Sequence, residues 1–165
     1  LEPLGTRAGF SPAAAQTIVS GALACQVLGG LAATATVARL PPAATLAVGQ
    51  AILAAIAVAI HVLPVPAPVA FAALSGVFGF VWLFLMPFHI GLAFRADAAG
   101  RVAVLAPAAQ LTGSAFGPLV ASLIVVGDDP GPVPGVSAGF ALAALVAVAA
   151  FALRRAGARR SERFS

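Results

Sequence analysis

Charge is what this sequence lacks. Nine arginines and five carboxylates are the whole ionic complement of 165 residues, and lysine and tyrosine are missing altogether. At 8% charged and 61% hydrophobic, the chain cannot cover the surface of a soluble fold, in which about 25% of residues are charged. That shortage excludes a soluble enzyme and a disordered tail. A single cysteine, Cys25, excludes a disulfide framework. No carboxylate falls within the apolar stretches, so a buried proton relay, a paired-aspartate protease and a carboxylate-held metal are all unsupported. His61, His89 and Cys25 are too far apart in the chain to read as a metal site, and no cofactor is expected. No plausible nucleophile and base pair is present, so an enzyme is not expected either.

The charge-free runs are long. Residues 8–38 give 31, residues 40–94 give 55, residues 102–127 give 26 and residues 130–153 give 24. A membrane-crossing helix takes about 20 apolar residues, so the runs hold one, two, one and one spans. The longest run turns at Leu63-Pro64-Val65-Pro66-Ala67-Pro68, where three prolines end a helix. Expected spans are 13–38, 43–62, 69–93, 102–126 and 135–153, which make residues 1–153 a membrane domain and residues 154–165 a basic tail. No alternating strand pattern appears, which excludes a membrane barrel. The fold class is therefore all-α, a polytopic membrane protein with five transmembrane helices in the lipid bilayer.

Arginine decides the orientation. Arg154, Arg155, Arg159, Arg160 and Arg163 lie in the tail. With the tail in the cytoplasm, alternation puts Arg39, Arg95 and Arg101 there as well, and Arg7 alone outside. The N-terminus is thus expected outside and the C-terminus inside. The basic tail reads as a topology anchor and not as a nucleic-acid surface. Arginine without lysine, with abundant alanine, points to a GC-rich bacterial genome and so to a bacterial inner membrane. The first residues, Leu1-Glu2-Pro3-Leu4-Gly5, read as an extramembrane loop already under way, so the chain is expected to be a piece of a longer protein.

The spans differ in polarity. Spans two and five are nearly pure hydrocarbon and are expected to face lipid on most sides. Span one carries Gln16, Thr17, Ser20, Gln26, Thr34 and Thr36, and span four carries Gln110, Thr112, Ser114 and Ser122. On span three, Ser75, Phe78, Trp82, Met86 and His89 fall on one helical face, and Pro87 interrupts the same span. Polar groups in hydrocarbon need a partner or water, so spans one, three and four should face protein or an aqueous cavity. The face from Ser75 to His89 reads either as a packing stripe or as one wall of a ligand cavity. A free imidazole titrates near ~6.5, which would let His89 couple solute to protons. Gln110, Gly113, Ser114 and Gly117 share a face of span four, with Gly113-x-x-x-Gly117 suited to close helix approach and Pro118 loosening the helix. Asp97 and Arg101 sit in the cytoplasmic turn before span four, where Asp97 can accept from the first free N–H groups of that helix.

In three segments the chain resembles the major facilitator superfamily of transporters, helices eight to twelve. Residues 2–12 are similar to the outer loop between helices seven and eight, and Trp82-Leu83-Phe84-Leu85-Met86-Pro87-Phe88 to the middle of helix ten. Asp97-x-x-Gly100-Arg101 with Pro107-Ala108-Ala109-Gln110-Leu111-x-Gly113-x-x-x-Gly117-Pro118 is similar to the inner loop and helix eleven. The loop Ala38-Arg39-Leu40-Pro41-Pro42 departs from that family's Gly-x-x-x-Asp-Arg-x-Gly-Arg pattern, so the resemblance does not extend to a latch there. It implies a partial C-terminal half of a secondary active transporter, which moves a small solute by rocking two six-helix halves. It also implies N-terminal helices of the same protein as partners. The solute pathway would take Gln26, Ser75, Phe78, Trp82, Met86, His89 and Gln110. The alternative is a non-transporting membrane module that packs on a partner through Gly113 and Gly117.

Overall fold

A computed structural model describes residues 1–97, 99–127 and 129–162, with the backbone alone for 155–162. The chain forms six helices: α1 (Glu2–Arg7), α2 (Pro12–Thr36), α3 (Pro42–His61), α4 (Pro68–Ala96), α5 (Arg101–Ile124) and α6 (Val133–Glu162). The last five are each long and apolar enough to cross a membrane, and no strand occurs among the described residues. Helix starts follow local chemistry. Ser11 caps α2 by accepting from the Ala14 N–H at 3.3 Å, and proline opens α2, α3 and α4, where its missing N–H does no harm. The Pro64–Pro68 stretch separates α3 from α4, as the sequence requires.

Two boundaries depart from expectation. Residues 2–7 form the short helix α1 in place of a loop. Its Gly5 lies against Ala15 of α2 and the Phe71 ring of α4, which gives this segment a surface to fold on. No break separates a tail at residue 154, because α6 continues to Glu162. Proline and glycine are the strong helix breakers, and the stretch from Arg154 to Glu162 holds only Gly157. Arg163 lies outside the described residues.

α2 and α4 pack closely along small residues. Ala15, Ala22 and Gly29 recur every seven residues on α2 and are buried with Ala33. Ala22 lies against Gly79 of α4 and Gly29 against Phe80. A side chain at Gly29 would strike the Phe80 carbonyl, and one at Gly79 would lie 2.6 Å from the Ala22 carbonyl oxygen. Such contact of backbone with backbone is how helices associate where no water drives them together.

The expectation for span two is corrected. α3 is the most buried of the five long helices, with Leu46, Leu53, Ala54, Ile56, Ala57 and even Gln50 inside. It lies between α4 and α6. An all-apolar helix suits a protein interior as well as lipid, and Gly49 supplies the hollow that the Leu85 methyls fill. Ala33, Leu46, Leu53, Val81, Leu85 and Phe88 form the core.

Span four is left uncovered by the rest of the described chain. Of α5 only Ala103 is buried. Gly113 and Gly117 have no described atom near enough to touch an added side chain, so this small-residue face packs on nothing among the described residues. Pro118, like Pro107, lies inside a helix that continues past it.

Candidate functional site

The face of α4 from Ser75 to His89 is covered unevenly. Ser75 is buried, 2% exposed, and its Oγ has no hydrogen-bond partner among the described residues. Phe78 and Met86 are half-buried, while Trp82 is 47% exposed and His89 is exposed. The Phe78 and Trp82 rings lie near-parallel, 14° apart, with centroids 6.2 Å from each other. The other side of α4 holds the Phe80, Phe84 and Phe88 ladder, which packs towards the core. Phe78 packs on the core as well, so the part of the Ser75–His89 face left open is around Trp82 and His89.

His89 follows Pro87 by two residues, and its Nδ1 lies 3.0 Å from the Leu85 carbonyl oxygen. A carbonyl only accepts, so Nδ1 carries the hydrogen and donates. Nε2 is then the lone-pair nitrogen. Below His89 a cleft of about 300 Å³ opens between α4 and α6. Leu92, Ala93 and Ala96 of α4 and Ala147, Val148 and Phe151 of α6 line it with His89. The alanines create it by leaving space where larger side chains would close the two helices together.

Most polar side chains of the spans need no outside partner. Thr17, Ser20, Thr34 and Thr36 of α2 donate to carbonyls of their own helix at 2.7–3.4 Å. Thr112 and Ser122 of α5 do the same. Hydroxyls satisfied this way do not demand a cavity, so the polar counts of spans one and four overstate it. The amides differ. Gln26 is half-buried, its stem across Gly79, whereas Gln16 and Gln110 are exposed. The structure thus groups Phe78, Trp82, Met86 and His89 on α4 and leaves Gln110 on the separate helix α5.

At the end of the bundle that holds α1, several termini meet. Arg7 lies 3.7 Å from Asp129 and its guanidinium covers Gly131. Asp129 also accepts from the Gly131 N–H at 2.9 Å, and His61 Nδ1 donates to the Gly131 carbonyl at 3.1 Å. These contacts put Arg7 on the same side as the α5–α6 loop. At the other end Asp97 accepts from Ala99 N–H at 3.0 Å and pairs with Arg101 at 3.2 Å. It does not cap α5; Gly100, at φ 77°, holds that position.

Among the described residues, no three of His, Cys, Asp and Glu come together to hold a metal. Comparison of the chain with protein-family models, with curated proteins and with solved structures finds no match. The all-helical membrane-spanning class therefore rests on the helices themselves. Sequence reasoning missed the α2–α4 seam. Its signal was present as Gly29-x-x-x-Ala33 and Ser75-x-x-x-Gly79, two small pairs one helical turn apart. The cleft at His89 left no comparable signal, since it needs α6 in place.

Proposed function

We propose that the chain is part of a secondary active transporter that moves a small solute by alternating access, with α4 lining the pathway. The observation that carries this reading is the division of α4 into a packed side and an open side. Val81, Leu85 and Phe88 are buried, while Trp82 and His89 are exposed. An imidazole with an unused lone pair suits a wet cavity better than hydrocarbon. The cover for that side would come from the N-terminal helices of the same protein, rocking against this half. The arginine distribution then sets the N-terminus outside and the C-terminus in the cytoplasm.

The test is cysteine scanning of residues 78–89 in the whole transporter, with Cys25→Ser as background. Positions 78, 82, 86 and 89 should react with small water-soluble thiol reagents, and solute should protect them. Reaction confined to 80, 84 and 88 rejects the pathway. The bare face of α5 favours a second reading, a non-transporting module that docks a partner helix on Gly113 and Gly117. In that case no position from 78 to 89 becomes accessible to water.

A further inference from the structure

The cleft between α4 and α6 has two unlike ends. Leu92, Ala93 and Ala96 of α4 and Ala147 and Val148 of α6 give it apolar walls, and His89 stands at its head. From His89 to Ala96 it follows α4 for two turns, about 10 Å, towards the end of the bundle opposite Arg7. There Arg95 lies three residues past Leu92, one turn along the helix, and Arg154 lies seven past Ala147, two turns along α6 on the same face. Both arginines are exposed, and neither has an ion-pair partner among the described residues. The carboxylate beside Arg95 in the chain, Asp97, is taken by Arg101 at 3.2 Å. The backbone of α6 continues as helix and carries Arg155, Arg159 and Arg160 before Glu162. The groove, about 300 Å³ in volume, is thus apolar along its walls and basic at one mouth.

We propose that this groove holds one anionic phospholipid of the adjoining leaflet, with an acyl chain between α4 and α6 and its phosphate on Arg95 and Arg154. The site stands apart from the transport reading, since it needs only these helices in a bilayer. The two parts of the lipid act differently. A tail that leaves the bilayer for the groove gains no hydrophobic free energy, because the bilayer interior is as apolar as leucine. The groove therefore fixes where the lipid lies. The arginines decide which lipid it is, because long basic side chains reach the headgroup level and guanidinium pairs with phosphate through charge-assisted hydrogen bonds. A zwitterionic lipid brings a compensating ammonium to the same mouth. Another helix of the protein would fit the walls but would leave both guanidiniums without a counter-charge unless it brought a carboxylate.

The test is native mass spectrometry of the full-length protein in detergent, titrated with phosphatidylglycerol or phosphatidylcholine. One phosphatidylglycerol should be retained, at least about tenfold more tightly than phosphatidylcholine. Arg95→Gln combined with Arg154→Gln should erase that preference. Ala93→Phe combined with Ala147→Phe fills the groove at unchanged charge and should release the lipid, with thermal unfolding of each variant measured alongside. Phosphatidylglycerol with a photoreactive diazirine on its acyl chain reads the site without any substitution, and should label α4 within 89–96 and α6 around 147–148. A preference that survives the arginine changes overturns the assignment. Retention that survives filling of the groove also overturns it, and leaves only diffuse attraction of a basic helix to an anionic membrane. Labelling confined to other segments does the same, as it would if another helix fills the groove. Displacement by glycerol phosphate, a head without a tail, or equal competition by oleate would make the ligand a free anion or a fatty acid and overturn the phospholipid.

Discussion

A methyl group added at Gly29 would drive into the backbone of α4. The new Cβ would meet the Phe80 carbonyl oxygen head-on and lie 2.9 Å from its carbon and 3.1 Å from the Phe80 Cα. None of these atoms can rotate away, so Gly29→Ala must part the two helices by about 1 Å. A gap of that size forfeits roughly a quarter to a half of each dispersion contact it opens. The seam from Ala15 to Ala33 loses contacts along its length, and a destabilisation of about 3 kcal/mol follows, at the upper end of the range for overpacking. Gly21 on the same helix has nothing near its would-be Cβ. Gly21→Ala should stabilise by up to about 1 kcal/mol, through helix propensity and a less free unfolded chain. The same chemical change thus has opposite signs eight residues apart. Thermal unfolding in detergent, followed by helical circular dichroism, reads both. If Gly29→Ala is as stable as Gly21→Ala, the close seam is wrong.

Other consequences are open to the same kind of measurement. Ser75→Ala should be neutral or stabilise by up to about 1 kcal/mol, since it removes a buried hydroxyl without a partner; a loss larger than that would reveal an acceptor. Asp129→Ala should destabilise more than Arg7→Ala in thermal unfolding, because Asp129 also accepts from Gly131, whereas the exposed ion pair is worth under about 1 kcal/mol. Gly117→Leu and Gly139→Leu should be equally tolerated by this chain alone, both sites being open. In the whole transporter proposed above, Gly117→Leu should lower the yield of folded protein more, and equal yields there would count against a helix docking on α5. Asp129→Cys should react with an impermeant thiol reagent on intact cells and Ser161→Cys should not; the reverse pattern inverts the proposed orientation.

The helices were legible in the sequence because charge and proline are strong local signals. Arg39, the prolines at 64, 66 and 68, and Arg101 bound the elements close to where the structure has them. Which helix lies at the centre was not legible from polarity. An apolar helix meets no penalty in lipid or in a protein core, so the few polar groups of α3 could not distinguish the two. The small residues Gly49, Ala54 and Ala57 could have done so, by admitting neighbours on more than one side. The Gly113 and Gly117 pair could not name its partner from sequence, since a surface shaped for close approach says nothing of what approaches. On α4 the spacing placed Phe78, Trp82, Met86 and His89 together. The direction of the His89 hydrogen bond depends on the Leu85 carbonyl and could not be read from residue types.

α6 is a rod longer than a bilayer is thick. From Val133 to Glu162 it has 30 residues, about 45 Å at the rise of an α-helix, against a hydrocarbon layer of about 30 Å. Its last nine residues carry the helix about 13 Å beyond Leu153 without a break. A helix that continues past the membrane converts tilt into displacement. A tilt of ten degrees about the point where the helix leaves the membrane moves Glu162 sideways by roughly 2 Å. Any body grafted directly onto Glu162 inherits that motion, whereas the same body on a glycine-rich tether would not.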